Sequence, residues 1–272
     1  MITTAELHRV AQKEGLRFDQ AEKDYVILWL LSGLVHSGVK EHKGGTCLRH
    51  CYYRGYRFSE DIDFSCRPGG ENLEASLHLL DEASQWIFNE SGVRFSVGKP
   101  VTVPGDFQIE IPMAYNRGGA RRQGLPQVKV HLTFDEPILD KTVYLQVTPG
   151  YLDLSAFKIT AYSKREIVVE KLRSLLQQQK KWPRSRDLYD LWYILHKTTA
   201  RFSWQELKPL FEEKCRIRDI QPDTASLTSE RLREWNENAW ARQLEPMLKD
   251  LPDFEQLWKE WVKSFHKLNK GM

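Results

Sequence analysis

Two aspartates separated by one isoleucine, Asp61 and Asp63, are the side chains of this 272-residue chain best placed to do chemistry. On a β-strand both carboxylates would point to one face, while Ile62 and Phe64 would enter the core on the other. Two like charges held this close repel each other unless a cation lies between them. Mg²⁺ suits such a pair, because proteins bind it through one or two carboxylates together with substrate phosphates. The alternative is an ordinary surface strand with two acidic residues on its solvent face.

A glycine-containing turn just upstream could bind an anion. Gly44 and Gly45 allow close approach to backbone N–H groups, and Thr46 adds a hydroxyl where a helix is predicted to begin. A helix N-terminus carries partial positive charge and attracts phosphate. Arg57 and Ser59, just before the acidic pair, could add further phosphate contacts. A phosphate site followed by a metal site on a strand is the layout expected for phosphoryl chemistry on a nucleotide.

Hydrophobic periodicity predicts the elements that position these residues. The predicted helices of the first half are a short one capped by Thr3 or Thr4, a long buried one over Asp19–Val39, and two more over Thr46–Tyr53 and Glu71–Ser91. A strand is predicted at Ile62–Ser65. Three further alternating stretches, VRFSVG, FQIEIPMAY and QVKVHLTF, predict strands of a mixed sheet with one buried face.

From Ser155 onward the pattern is helical. Ser163 and Glu166 have capping-box spacing at the start of a helix that Pro183 ends, and a second helix is predicted to begin at Ser185. The late tryptophans lie among leucines and are expected in a core. We therefore expect an α/β (α+β) chain, with residues 1–154 as the sheet-bearing core with N-terminal helices and residues 155–272 as a helical C-terminal domain.

Composition limits the class of protein. The longest apolar stretch, Tyr25–Val39, is interrupted by polar residues and shorter than the ~20 residues that span a bilayer, so no membrane partner is expected. Neither a secretory signal nor a paired cysteine framework is predicted, which favours the cytoplasm.

Net charge is only +3, but the positive charges are clustered. Lys158–Arg186 is strongly basic, and the loop NRGGARRQG contributes Arg117, Arg121 and Arg122. Either segment could hold an RNA backbone, Lys180 and Lys181 included, or could be ordinary solvated surface.

Several stretches together resemble a known family: DYVILWLL, HKGGTCLRHCYYRGYRFSEDIDFS, VKVHLTFDEPI and EKLRSLL…RSRDLYDLW. In order and spacing they are similar to the AbiEii/AbiGii-type nucleotidyltransferase toxins of bacterial type IV toxin–antitoxin and abortive-infection systems. The resemblance covers roughly residues 24–195. It implies a DNA-polymerase-β-like nucleotidyltransferase fold. It also implies transfer of a nucleotide from an NTP, with Mg²⁺ or alternatively Mn²⁺, onto an RNA 3′ end such as the tRNA acceptor stem, which blocks translation. A cognate antitoxin, expected to be a winged-helix protein, is implied as partner.

The resemblance also implies roles for individual residues. Asp61 and Asp63 would hold the catalytic metals, and Lys171 would contact the NTP phosphates. Asp187, with Asp190 as second choice, would complete the active site. The nucleotide-binding residues implied are Gly44, Gly45, Thr46, Arg57, Ser59 and Lys129.

One position departs from the family pattern. Lys129 and His131 stand where the family commonly has Lys-x-Asp, so an imidazole takes the place of a third carboxylate. A neutral imidazole binds Mg²⁺ poorly, since that ion prefers oxygen. Either His131 acts as a general base, or Asp135 or Asp187 supplies the charge, or catalysis is weakened; we expect the second. Two other functions remain open, namely NTP or RNA binding without transfer, and nucleotidylation of a small molecule.

Overall fold

The computed structural model describes residues 1–38, 42–66, 72–102, 108–118, 124–178 and 182–270. The chain divides into two compact units, Met1–Tyr162 and Ser163–Met272. The described strands all belong to the first unit, and the second is helical. The boundary lies after the strand Phe157–Ala161 and not at the expected 154/155, because this strand pairs with two others of the sheet.

Four helices accompany the sheet in the described part of the first unit. They are α1 (Thr4–Glu14), α2 (Phe18–His36), α3 (Gly44–Cys47), which continues as a π-helix over Leu48–Tyr52, and α4 (Leu73–Ser91). Thr3 caps α1 by accepting a hydrogen bond from the Glu6 N–H, and Gly15 ends it in the left-handed conformation that favours glycine. The helix α2 is buried on most sides, as predicted. Among the described residues, no helix is long and apolar enough to cross a membrane.

The described residues form one mixed sheet of eight strands. The strands are β1 (His42–Lys43), β2 (Asp61–Ser65), β3 (Arg94–Val97), β4 (Val101–Thr102), β5 (Gln108–Asn116), β6 (Gln127–Thr133), β7 (Val143–Val147) and β8 (Phe157–Ala161). Their spatial order is β3-β5-β6-β2-β1-β8-β7, and β4 pairs with β5. β2 is parallel to β6 and antiparallel to β1. Since β1 leads directly into α3, the glycine turn and β6 lie on either side of the acidic pair.

A row of apolar side chains fixes the register of the central strands. Ile62 lies opposite Val130, which lies opposite Ile111, and all three are fully buried. They belong to a core that α2 and α4 help to build. Burial of each such side chain contributes about 1.5–3 kcal/mol, and a slip of one residue would move carboxylates into this core. The residues that flank the row therefore lie on the opposite face of the sheet.

The second unit consists of helices in its described part. They are α5 (Lys164–Gln178), α6 (Ser185–Trp192), which continues as a π-helix over Tyr193–Lys197, α7 (Trp204–Ile217), α8 (Glu230–Leu244) and α9 (Phe254–Asn269). Ser163 caps α5 by accepting a hydrogen bond from the Glu166 N–H at 3.0 Å, as its sequence predicts. Of the late tryptophans expected in a core, those at 240, 258 and 261 are buried, whereas Trp204 and Trp235 are half-buried.

Candidate nucleotidyl-transfer site

The acidic pair lies on β2 as the sequence predicts. Asp61 and Asp63 are partly exposed, whereas Ile62 and Phe64 between and after them are buried. Burial raises the pKa of Asp61, and the charge of Asp63 raises it further. A cation that binds between two carboxylates in this state relieves their repulsion and lowers their electrostatic free energy. This is the electrostatic property of a metal site.

The start of α3 lies against the residues just upstream of β2. A Cβ atom built on Gly45 would come within 2.7 Å of the Arg57 Nη2 atom and 3.0 Å of the Ser59 Oγ atom. Gly45, Arg57 and Ser59 thus form one cluster, here called the glycine corner. Thr46 is fully buried, and its hydroxyl donates a hydrogen bond to the main-chain carbonyl of Asp61. The Thr46 hydroxyl therefore links the start of α3 to β2.

The strands β6 and β5 continue the face on which the two aspartates lie. Asp61 is opposite Lys129, Asp63 is opposite His131, and His131 is in turn opposite Glu110. His131 Nδ1 is 3.1 Å from Asp63 Oδ1, and His131 Nε2 is 3.4 Å from Glu110 Oε2. Lys129 Nζ donates to the same Glu110 oxygen at 3.0 Å. These five side chains, here called the acidic face, form a charged surface across three neighbouring strands.

Glu110 was missed by sequence reasoning. Its place between Ile109 and Ile111 in an alternating strand predicts exposure to solvent, but one strand alone does not reveal which residues it faces. Burial raises the pKa of Glu110, yet hydrogen bonds from Lys129 and His131 outweigh burial and lower it. Glu110 is therefore an ionised carboxylate held by two basic side chains.

The surroundings of His131 shift its pKa away from the usual value for an imidazole. Burial lowers its pKa, but the hydrogen bond to Asp63 and the charges of Asp63 and Asp61 raise it to about 9. These contacts favour the protonated imidazole, and the role of His131 as general base stays one of the predicted alternatives. Asp135 was one of the two residues expected to replace the third carboxylate that is absent at position 131. It is an exposed residue beyond the end of β6. The carboxylates in contact with His131 are those of Asp63 and Glu110.

Lys171 and Asp187 contact each other within the second unit. Lys171 Nζ lies 2.7 Å from Asp187 Oδ1 and 2.7 Å from Asp190 Oδ2. Ser174 donates to the other Asp187 oxygen at 2.9 Å. Burial raises the pKa of Asp187, but the charges of Lys171 and Arg184 hold it below its usual value. The Asp190 side chain is fully buried, whereas that of Asp187 is 15% exposed.

Some of the basic residues predicted to hold RNA are buried in the protein. Arg117 is 8% exposed, lies over the Tyr25 ring, contacts Glu22 at 3.4 Å and donates to the Ile2 carbonyl at 3.0 Å. These contacts engage its guanidinium inside the first unit, and the RNA-binding role of Arg117 stays a prediction. Arg173 of α5 is likewise buried. Four other basic residues of these segments lie outside the described part of the chain: Arg121, Arg122, Lys180 and Lys181.

The acidic pair suits a metal ion that takes only some of its ligands from the protein and the others from a substrate. Within the described ranges, no three His, Cys, Asp or Glu side chains converge closely enough to hold an ion by themselves. Asp61 and Asp63 offer the oxygen ligands that Mg²⁺ prefers, and that ion usually keeps other positions for water and substrate phosphates. Ser59 of the glycine corner lies two residues before Asp61 in the sequence.

A family model matches most of the chain. The family described as "Nucleotidyl transferase AbiEii toxin, Type IV TA system" matches residues 29–262, which include the acidic face and the Lys171 helix. No curated protein sequence matches the chain significantly.

Two solved structures share the fold. MenT4, a nucleotidyltransferase toxin from Mycobacterium tuberculosis H37Rv, matches with a TM-score of 0.68 and 18% identity over 98% of this chain and 90% of that chain. JHP933 from Helicobacter pylori matches with a TM-score of 0.59 and 16% identity over 93% of this chain and 92% of that chain. These likenesses confirm the nucleotidyltransferase fold expected from the sequence. Because the family model spans most of its length, the chain belongs to the AbiEii family of nucleotidyltransferase toxins of type IV toxin–antitoxin systems.

Proposed function

We propose that this protein transfers a nucleotide from an NTP onto the 3′ end of an RNA, in a reaction that depends on Mg²⁺. The proposed acceptor is the 3′ end of tRNA, whose modification would block translation in the cytoplasm. The observation that carries the proposal is the acidic pair on β2 directly beside the glycine corner. Family membership implies an antitoxin partner, and we propose a winged-helix protein for it.

Each residue of the site has a proposed part in this reaction. Asp61 and Asp63 would hold Mg²⁺, or Mn²⁺ in its place, and the ion when bound would neutralise charge on the phosphates. The backbone of Gly44 and the glycine corner would orient the triphosphate. The 3′-hydroxyl of the RNA would then attack the α-phosphorus in line, and pyrophosphate would leave. We assign Lys129 to nucleotide binding, Lys171 to the NTP phosphates and Asp187 to the completion of the active site.

The proposal is tested by incubating purified protein with Mg²⁺, total tRNA and each NTP labelled at its α-phosphate. We expect labelled RNA with at least one NTP and none with Asp63→Ala. Label on a small metabolite from cell extract would indicate a small-molecule nucleotidyltransferase. NTP binding with no transfer, even after extract is added, would indicate a binding protein and contradict the proposal.

Gly45→Ala should weaken nucleotide binding while the fold stays stable. The added methyl group would displace the far end of the Arg57 side chain and the Ser59 hydroxyl, which can shift without breaking the core. We expect the KM for the NTP to rise about tenfold, or ~1.4 kcal/mol, at a nearly unchanged kcat. Steady-state kinetics measure both constants. Gly124→Ala is the matched control, because its added Cβ meets nothing within 4 Å. Equal KM values for the two variants would contradict a phosphate-binding glycine corner.

A further inference from the structure

Arg49 is a buried arginine that joins three segments of the first unit. It lies on the π-helix that continues α3, and its Nε atom donates to Asp24 Oδ1 of α2 at 2.7 Å. Its Nη1 atom donates to the main-chain carbonyl of Tyr56, in the segment that precedes β2. The side chains of Arg49 and Asp24 are each 7% exposed, and Tyr151 donates to the other Asp24 oxygen at 3.0 Å. Arg49 therefore reaches the Tyr56 carbonyl from a fixed position.

The carbonyl that Arg49 holds belongs to the peptide bond between Tyr56 and Arg57. Because a peptide group is planar, holding its oxygen also fixes the direction in which the Arg57 side chain leaves the main chain. Arg57 belongs to the glycine corner, where its Nη2 atom would lie 2.7 Å from a Cβ atom built on Gly45. Arg49 comes four residues after Gly45 on the same continuous helical segment. Arg49 thus connects the two sides of the glycine corner.

We propose that Arg49 is a positioning residue for the phosphate-binding glycine corner, acting through Arg57. Its guanidinium fixes the Tyr56 carbonyl relative to the helix that carries Gly45, and in this way directs Arg57 toward a bound triphosphate. Arg49 itself is buried and makes no contact with the substrate in this account. The inference rests on the proposed function, since it takes the glycine corner to bind the phosphates of the NTP.

Arg49→Lys separates the geometry of this side chain from its charge. A guanidinium presents its N–H groups in one rigid plane to two different acceptors, whereas a lysine ammonium is a point charge on a flexible stem. The variant keeps a positive charge beside Asp24 and loses the fixed contact with the Tyr56 carbonyl. Because the charge is unchanged, a loss of phosphate affinity would come from the placement of Arg57 and not from long-range electrostatics.

The test is a double-mutant cycle between positions 49 and 57, measured by calorimetry as binding of inorganic tripolyphosphate with Mg²⁺. This probe carries the phosphates without a base, so it does not depend on which NTP is the substrate. We expect Arg57→Met to weaken binding about tenfold and Arg49→Lys about fivefold. In the Arg57→Met background, Arg49→Lys should weaken binding less than about twofold, because the side chain that it positions is gone. Arg54→Lys changes an exposed arginine of the same segment and is the matched control, which should bind normally.

Three results would overturn the role of Arg49. They are normal binding by Arg49→Lys, normal binding by Arg57→Met, and an equal loss from Arg49→Lys in both backgrounds. Thermal unfolding checks that each variant is folded. If Arg49→Lys is not, Arg49→Met combined with Asp24→Asn replaces it in the same cycle. That pair removes both buried charges together at similar volume, and it still deprives the Tyr56 carbonyl of its donor.

The unchanged protein separates this inference from the proposed function. If it binds tripolyphosphate and Arg57→Met weakens that binding while Arg49→Lys does not, only the inference fails. If the unchanged protein does not bind tripolyphosphate with Mg²⁺, the proposed phosphate site is wrong and the role of Arg49 fails with it.

Discussion

Asp61→Asn should abolish nucleotidyl transfer without making the protein less stable. The carboxylate is proposed to hold the metal, and an uncharged amide would not neutralise the phosphates in its place. We expect the rate of transfer to fall by at least about 10³-fold, equivalent to ~4 kcal/mol of transition-state stabilisation. Labelled NTP and tRNA measure this loss, and Glu90→Gln serves as control because it changes an exposed carboxylate of α4.

The direction in which Asp61→Asn changes the stability of the fold can also be predicted. The pKa of Asp61 is raised by burial and by Asp63, so its ionised form opposes folding. This cost is absent at pH values below the unfolded-state pKa and complete at pH values above the raised folded-state pKa. In EDTA at pH 7, Asp61→Asn should therefore unfold at the same or a higher temperature than the unchanged protein, and the two should converge in acid. A variant that keeps more than a tenth of its activity, or that unfolds at a clearly lower temperature, would contradict this account of β2.

Lys171→Met should be the most destabilising of the substitutions considered. The ammonium lies 2.7 Å from two carboxylates, one of them on the fully buried Asp190. Removing one partner of a buried ion pair leaves an uncompensated charge and costs about 3–5 kcal/mol. Urea unfolding of the purified variant measures the loss in the free energy of unfolding. We expect the helical second unit to unfold first.

An exposed lysine of the same unit provides the comparison. Lys208 pairs with Glu212 at 3.8 Å, and both side chains are about half exposed. Surface pairs of this kind contribute roughly 0–1 kcal/mol, so Lys208→Met should be nearly neutral. Adding Asp190→Asn to Lys171→Met should recover part of the stability, because it removes the charge left unpaired. Equal free energies of unfolding for Lys171→Met and Lys208→Met would show that the buried arrangement is not a stabilising ion pair.

Local features of the sequence predict the parts of the site that depend on neighbours along the chain. The alternation of Asp61, Ile62 and Asp63 places the carboxylates on one face because the strand period is two. Ser163 and Gly15 mark helix ends for reasons of hydrogen bonding and backbone conformation that hold in any fold. The cluster of Gly45 with Arg57 and Ser59 could also be anticipated, because all three flank the same short segment.

Features that depend on pairing between distant strands could not be predicted. Glu110 reaches His131 only because β5 and β6 adopt one register, and the alternating pattern of β5 fits other registers equally well. The exposure of Arg117 was misjudged for a similar reason. Its partners Ile2 and Glu22 come from the N-terminal helices, and a glycine-rich basic loop gives no sign of such contacts.

The most direct test of the central claim compares two labels on the same NTP. Protein, Mg²⁺ and tRNA are incubated with NTP labelled at the α-phosphate in one reaction and at the γ-phosphate in the other. The account predicts that α label enters RNA, that γ label is released as pyrophosphate, and that Asp63→Asn or EDTA abolishes both signals. Transfer of γ label to RNA, or incorporation of α label that persists in Asp63→Asn, would contradict nucleotidyl transfer by the acidic pair.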